Sequence, residues 1–129
     1  MDDKAKSILI VEDEKPLINA LAEKLRAENY TVYRAGNGEE GLKEAHEKKP
    51  DLILLDIKMP HKGGVEFMQE LRDGNDVWAK SVKVIILTNL KPDEPIISGL
   101  SGTDPAYYLL KAEWTISDIV EKIREVLNS

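Results

Sequence analysis

Cysteine is absent from the 129 residues of this chain. Disulfide bonds, thiolate zinc sites and cysteine nucleophiles are therefore excluded, and a reducing cytoplasm is the expected setting. Histidine is scarce, and His46 and His61 cannot form a metal cluster on their own.

Positive charge is also in deficit, with a formal net charge of -6. This balance argues against nonspecific binding to nucleic acid or to an anionic membrane and favours a protein partner or a small ligand.

Long apolar runs are missing as well. Every run is far shorter than the roughly 20 residues that a membrane-spanning helix needs, and the acidic opening at residues 1–3 is unlike a secretory signal. We therefore expect a cytoplasmic protein with no membrane segment. The length predicts a single domain over residues 1–129, with its core at about 7–128 and no output domain.

Short apolar runs alternate along the chain with segments of helical period. This alternation is typical of βα units that build a parallel sheet covered on both faces. The five predicted strands are residues 7–12, 30–35, 51–55, 82–88 and 106–110. Residues 30–35 alternate between polar and apolar side chains, which predicts an edge strand.

Five helices are predicted, of which the last is the clearest. Its apolar residues follow helical spacing, and Thr115 is placed to cap its start. These apolar residues are Ile116, Ile119, Val120, Ile123 and Leu127. The first helix is predicted at about 16–28. Residues 91–105 contain three prolines and two glycines, so we expect only a short fourth helix and a mobile segment there.

Polar side chains follow four of the predicted strands. Because the carboxyl ends of parallel strands meet at one rim of the sheet, we expect these residues to lie together. They are Glu12, Asp13, Asp56, Thr88 and Lys111. Such a set can hold a hard divalent cation such as Mg²⁺, offer a carboxylate nucleophile and bind phosphoryl oxygens.

The same residues make the chain similar to the receiver domain of two-component response regulators, over about residues 7–128. Residues 8–13 resemble the acidic-pair motif of that family, and residues 56–60 with Gly64 resemble its phosphorylation-site motif. Thr88 and Lys111 stand at the ends of the fourth and fifth strands. The resemblance implies a flavodoxin-like, doubly wound α/β fold with five helices and the strand order 2-1-3-4-5.

The resemblance also implies roles for individual residues. Asp56 would accept a phosphoryl group from the phosphohistidine of a histidine kinase or phosphotransfer protein, with Lys111 and Thr88 assisting. Asp13, Asp56 and the backbone carbonyl of Lys58 would bind Mg²⁺, with Glu12 acting through a water molecule. The chain would thus catalyse its own phosphorylation and dephosphorylation, and no independent turnover of a small molecule is expected.

By the same likeness, Thr88 and Tyr108 would form a switch. It would change the surface formed by the predicted fourth helix (91–105), the fifth strand and the last helix. With no output domain, the signal would pass to another protein as yet unknown. The expected contact surface includes Ile96, Ile97, Tyr108 and Trp114. A monomer or a phosphorylation-dependent dimer is expected.

The chain departs from the family pattern at two positions. Lys111 is followed by Ala112 where proline is usual, and a cis bond without proline costs about 3 kcal/mol, so we predict a trans bond. Asn89 replaces a small residue and is expected to narrow the phosphate pocket. Lys58 and Leu90 stand where the family tunes hydrolysis of the phosphoaspartate, and apolar Leu90 predicts slow self-dephosphorylation.

Three alternatives remain open from the sequence. A degenerate receiver that binds proteins without phosphorylation is supported only by Asn89 and Ala112. An aspartyl-nucleophile phosphatase would require a second acid two residues after Asp56, where Lys58 stands, and a cap domain. A flavin mononucleotide carrier would need a hydroxyl- and amide-rich phosphate loop after the first strand, whereas residues 12–14 are all acidic.

Overall fold

Five parallel strands form the centre of the protein in a computed structural model that describes residues 5–129. They are β1 (Ser7–Val11), β2 (Thr31–Ala35), β3 (Leu52–Leu55), β4 (Lys83–Thr88) and β5 (Tyr107–Leu110). Each predicted strand is present, and its bounds are within one residue of those expected. The acidic opening at residues 1–3 lies outside the described part of the chain.

The strand order is β2-β1-β3-β4-β5, as predicted, and β2 is an edge strand. Val11 pairs with Leu55, and Leu55 pairs with Ile86, so β1, β3 and β4 run in close register. Thr88 pairs with Leu110 at the end of β5. The carboxyl ends of these four strands therefore form one continuous rim, where ligands bind in open parallel sheets.

Helices cover both faces of the sheet. The α-helices are α1 (Lys15–Ala27), α2 (Gly38–Lys48), α3 (Gly64–Asp73), α4 (Val77–Ser81) and α5 (Ile116–Leu127). Two 3₁₀ helices in the described residues are η1 (Pro95–Leu100) and η2 (Lys111–Glu113). In the same residues, 5–129, no helix has both the length and the apolar composition to cross a bilayer.

Successive residues of each central strand pack into opposite halves of the core. Ile8 and Ile10 of β1 belong to one buried cluster, with side chains of α1 and α5. Leu9 and Val11 belong to the other, with Phe67 and further side chains of α3. A strand buried on both faces needs apolar residues at every position, which is why these strands read as continuous apolar runs.

The ends of two helices follow from their capping residues. The Thr115 side chain accepts a hydrogen bond from the Asp118 N–H, and the Asp118 side chain accepts one from the Thr115 N–H. This reciprocal capping box starts α5 where the sequence predicted. The Asn37 side chain caps α2 by accepting a hydrogen bond from the Glu40 N–H.

Helix structure differs from the expectation in two places. Residues 91–105 contain no α-helix, and the predicted fourth helix is the short 3₁₀ segment η1. Its prolines and glycines favour this poorly propagated form. The second difference is α4, which precedes β4 and was not predicted. Its start is capped by Asp76, whose side chain accepts a hydrogen bond from the Trp78 N–H.

Candidate phosphoryl-acceptor and metal site

The predicted site residues stand at the rim of the sheet just described. Glu12 and Asp13 follow β1, Asp56 follows β3, Thr88 ends β4 and Lys111 follows β5. Strands β1, β3 and β4 are almost entirely buried, and β5 is paired to β4, so the register between strands fixes where these side chains begin. The rim lies at the edge of the apolar core, so charged side chains there can face a ligand.

Asp56 is held at both of its carboxylate oxygens, although only 5% of the residue is exposed. Its Oδ1 accepts a hydrogen bond of 2.7 Å from the Ile57 N–H. Its Oδ2 lies 3.1 Å from Lys111 Nζ. The Asp56 N–H donates to the Val11 carbonyl at 3.0 Å, which ties the residue to the end of β1. Contacts within the chain therefore hold the carboxylate in one orientation.

Lys111 is the cation at the centre of the site, with 13% of its side chain exposed. Its Nζ lies 3.0 Å from Glu12 Oε1 and also donates to Glu14. Burial alone would lower the pKa of Lys111, but the hydrogen bonds to Glu14 and Glu12 and the charge of Asp56 outweigh it and raise the pKa. Lys111 therefore remains a cation beside the Asp56 carboxylate.

Glu12 is even more buried than Asp56, with 3% of the residue exposed. Burial raises the pKa of Glu12, and the charge of Asp56 adds to this, while the Glu14 N–H and Lys111 act in the opposite direction. The Glu14 N–H donates to Glu12 Oε2 at 3.0 Å. The cluster thus places two buried carboxylates against one ammonium, an excess of negative charge that a further cation would relieve.

The oxygens of Glu12, Asp13 and Asp56 lie close enough to share a metal ion. One carboxylate oxygen from each falls within 4.8 Å of the others. Glu12 and Asp56 are buried, whereas Asp13 is exposed. Carboxylates that open to solvent on one side suit Mg²⁺, which binds oxygen ligands and keeps several of its waters. Asp13 and Lys58 also line the same surface cleft, which places the Lys58 segment beside this group.

Gly64 is required by the close approach of α3 to the site. A Cβ at this position would lie 2.3 Å from the Asp56 carbonyl oxygen and 2.9 Å from Ile57 Cα. The Gly64 N–H donates to the Ile57 carbonyl at 2.8 Å. This explains the glycine after the Asp56 motif, because a side chain here would push α3 away from the segment that carries Asp56.

Thr88 and Tyr108, the two predicted switch residues, both interact with Leu90. Thr88 is 1% exposed, and its Oγ1 accepts a long hydrogen bond of 3.4 Å from the Leu90 N–H. The Tyr108 hydroxyl donates to the Leu90 carbonyl at 2.6 Å. Burial and the charges of Asp56 and Glu94 raise the pKa of Tyr108. The Tyr108 hydroxyl therefore stays protonated and remains a donor.

The two departures from the family pattern meet in space. Peptide bond 111–112 is trans, as predicted. Asn89 Oδ1 accepts a hydrogen bond of 3.0 Å from the Ala112 N–H. Neither this contact nor the hydrogen bond between Lys111 and Glu14 was predicted from the sequence. The sequence offered one signal for the Asn89–Ala112 contact: residue 112 is not proline, and residue 89 is not small.

Comparison with known proteins agrees with this geometry. The response regulator receiver domain family matches residues 8–124 of the chain. The chain belongs to this family. A similar curated protein is the KDP operon transcriptional regulatory protein KdpE of Escherichia coli (strain K12), with 32% identity over 121 residues. The match covers 94% of this receiver domain and 51% of KdpE.

A second relative is the alkaline phosphatase synthesis transcriptional regulatory protein PhoP of Bacillus subtilis (strain 168). It is 43% identical over 67 residues, which are 52% of the receiver domain and 28% of PhoP. The receiver domain thus spans about half the length, or less, of these relatives.

Solved structures share the fold of this receiver domain over nearly its whole length. A CheY-like response regulator receiver domain protein from Methanospirillum hungatei JF-1 has a TM-score of 0.84 and 26% identity, and the match covers 97% of this chain and 95% of that one. The phosphorylated cyanobacterial phytochrome response regulator RcpA has a TM-score of 0.79 and 27% identity. In that comparison 98% of this chain and 96% of RcpA are covered.

Proposed function

We propose that this receiver domain accepts a phosphoryl group on the Asp56 carboxylate. The donor is the phosphohistidine of a histidine kinase or phosphotransfer protein in a two-component system or phosphorelay. One observation carries the proposal: the buried Asp56 carboxylate is fixed 3.1 Å from Lys111 Nζ and shares a metal-sized group of oxygens with Glu12 and Asp13. The match to a phosphorylated response regulator, RcpA, supports it.

In the transfer step, an Asp56 carboxylate oxygen forms a bond to phosphorus while the phosphorus–nitrogen bond of the phosphohistidine breaks. The bonding electron pair returns to the imidazole, and the product is an acyl phosphate on Asp56. Lys111 stabilises the negative charge of the phosphoryl oxygens during the transfer, and the hydrogen bond from Ile57 keeps the carboxylate oriented. Positioning and charge neutralisation supply most of the catalysis in such reactions.

Asp13, Asp56 and the Lys58 carbonyl are the proposed ligands of Mg²⁺, with Glu12 contributing through a water molecule. Bound Mg²⁺ would supply positive charge beside the phosphoryl oxygens. Glu12 also has a second task, because its carboxylate accepts hydrogen bonds from Lys111 and from the Glu14 N–H. Through this contact Glu12 helps to hold Lys111 beside Asp56.

The response to phosphorylation passes through residues 88–90. In the described structure, Leu90 is bonded through its backbone to both Thr88 and Tyr108. A phosphoryl group that accepts a hydrogen bond from the Thr88 hydroxyl favours a different position of this loop and so frees Tyr108. The population shifts by the difference in affinity between the two arrangements. The changed surface comprises η1, β5 and α5, and we propose that a partner protein recognises this surface.

A phosphorylation-independent binding module was the main alternative. It depended on Asn89 and Ala112 disturbing the site, yet Lys111 still reaches Asp56 in their presence. The cytoplasmic location and the choice between monomer and phosphorylation-dependent dimer stay predictions.

Incubation with a small acyl phosphate or phosphoramidate and Mg²⁺ tests the proposal. Intact-mass analysis is expected to show one added phosphoryl group, which hydroxylamine removes because acyl phosphates react with strong nucleophiles. Chelation of Mg²⁺ with EDTA is expected to slow labelling by about 100-fold or more, because the carboxylates then repel the incoming phosphate. Labelling that is equally fast in EDTA, or a modification stable to hydroxylamine, would contradict the proposed site.

Replacement of Leu90 by Asn is expected to shorten the lifetime of the phosphorylated form. The Leu90 side chain lies beside Thr88 and packs against the core cluster that contains Phe67. A polar amide at this position would admit water to the acyl phosphate. We expect loss of label to accelerate about tenfold, which corresponds to about 1.4 kcal/mol in the barrier. The decay of the phosphorylated mass after removal of the donor measures it. Leu90→Met keeps the site apolar and should decay like the wild type, whereas equal lifetimes for Leu90→Asn and the wild type would disprove the tuning role.

A further inference from the structure

Asn89 and Ala112 connect the ends of the two strands that carry Thr88 and Lys111. Asn89 directly follows β4, and Ala112 directly follows Lys111. The last paired residues of these strands are Thr88 and Leu110. The 3.0 Å hydrogen bond from the Ala112 N–H to Asn89 Oδ1 lies just beyond that pair. It continues the connection between β4 and β5 with a side chain where the backbone ladder has ended.

This bond depends on both residue types at once. An alanine has the backbone N–H that a proline lacks, and asparagine offers an amide oxygen of the right reach. Neither residue alone would make the contact. The pair therefore has a single physical explanation, in which the acceptor at 89 uses the donor that becomes available when residue 112 is not proline.

The backbone at Lys111 is thereby held on both sides. Leu110 is fixed by the sheet on one side, and Ala112 is fixed by Asn89 on the other. From this backbone position, Lys111 Nζ lies 3.1 Å from Asp56 Oδ2 and 3.0 Å from Glu12 Oε1. A long, flexible lysine side chain is best aimed when its own backbone cannot move.

We propose that Asn89 is a positioning residue for phosphoryl transfer: through the Ala112 N–H it holds the Lys111 segment so that the ammonium meets the phosphoryl group at Asp56. This inference rests on the proposed function. Asn89 itself does not touch the reacting atoms. Its effect passes through the backbone of residues 111 and 112, so it should alter the rate of labelling without altering the metal ligands.

Asn89→Ala removes the acceptor and tests the proposal. We expect its labelling by a small acyl phosphate at saturating Mg²⁺ to fall about fivefold, the effect of one neutral hydrogen bond. The affinity for Mg²⁺, followed by NMR of the Asp13 amide during titration with the metal alone, should stay unchanged. Asn75→Ala, in the exposed loop before α4, is the matched control and should label like the wild type.

A double-mutant cycle separates positioning from a general effect on folding. Ala112→Pro removes the donor, so adding Asn89→Ala to it should cause no further loss of rate if the two residues act only through their bond. An equal loss in both backgrounds would overturn the proposal. So would unchanged labelling of Asn89→Ala, or a parallel loss of Mg²⁺ affinity.

Amide hydrogen exchange provides a test that does not require phosphorylation. The Ala112 amide should exchange slowly in the wild type and in Asn89→Asp, which keeps an acceptor oxygen, and about fivefold or more faster in Asn89→Ala. If the wild type accepted no phosphoryl group, the proposed function would fail while this measurement still decided whether Asn89 fixes residue 112. Equal exchange in all three proteins would overturn the inference.

Discussion

Asp56→Asn is expected to abolish phosphorylation by a small phosphodonor. An uncharged amide is a far weaker nucleophile than a carboxylate, and the substitution also removes one of the three carboxylates that would share Mg²⁺. The side chain keeps its shape, and its oxygen can still accept the hydrogen bond from the Ile57 N–H. Lys111 retains Glu12 and Glu14 as partners. The loss should therefore be chemical, with the fold preserved.

Intact-mass analysis at several times of incubation measures this effect, and circular dichroism verifies the fold. Asp73→Asn removes a carboxylate from the exposed end of α3 and should label at the wild-type rate. A phosphoryl mass increment of equal size in Asp56→Asn and the wild type would show that another residue is the nucleophile.

Lys111→Met is expected to slow phosphorylation by about 100- to 1000-fold, the cost of removing a preorganised group that stabilises transition-state charge. Methionine has a similar length but cannot neutralise the phosphoryl oxygens. It also leaves Glu12 and Asp56, both nearly buried, without their shared cation. Breaking a buried ion pair by removing one partner costs about 3 kcal/mol or more in the free energy of unfolding. The two losses have one cause, the uncompensated negative charge of the site.

These two effects of Lys111→Met respond differently to Mg²⁺. Bound metal replaces part of the lost positive charge, so the loss of stability, measured by urea denaturation, should be smaller with Mg²⁺ than with EDTA. The rate of labelling should stay low because the metal does not occupy the position of Lys111 Nζ. Lys83→Met, exposed at the opposite end of the sheet, is the control for removing a lysine. Wild-type labelling by Lys111→Met would refute the assigned role.

The strands were predictable because their environment imposes a simple rule. A parallel strand must be apolar where both of its faces are covered, and the strands obey this along their buried length: β3 is apolar throughout, and β1 and β4 depart only at the end residues Ser7, Lys83 and Thr88. The helices were less predictable where they are short. For α4, the stabilising contacts are made with residues outside the helix, since the Trp78 indole N–H donates to the Pro50 carbonyl at 3.0 Å and Arg72 donates to the Ala79 carbonyl at 2.8 Å. No local pattern in five residues carries that information.

The site followed from two facts visible in the sequence: which residues end the strands, and that parallel strands end at one rim. The resemblance to receiver domains then supplied candidate roles for Asp56, Thr88 and Lys111. The hydrogen-bond partners of individual side chains within the site could not be predicted from the sequence. Glu14 accepts a hydrogen bond from Lys111, and Asn89 accepts one from the Ala112 N–H. Each side chain has several possible partners, and the folded backbone determines which of them lies within reach.

Periodicity, strand-end chemistry and the cost of a cis bond are local properties. They were enough to predict the parallel α/β architecture, the rim of the sheet that carries the charged residues, and the trans bond after Lys111. Three features became known from the folded structure alone: the 3₁₀ helix within residues 91–105, the helix α4, and the hydrogen bond from the Ala112 N–H to Asn89. Those outcomes depend on contacts between segments far apart in the chain, where small differences in packing select one of several locally similar conformations.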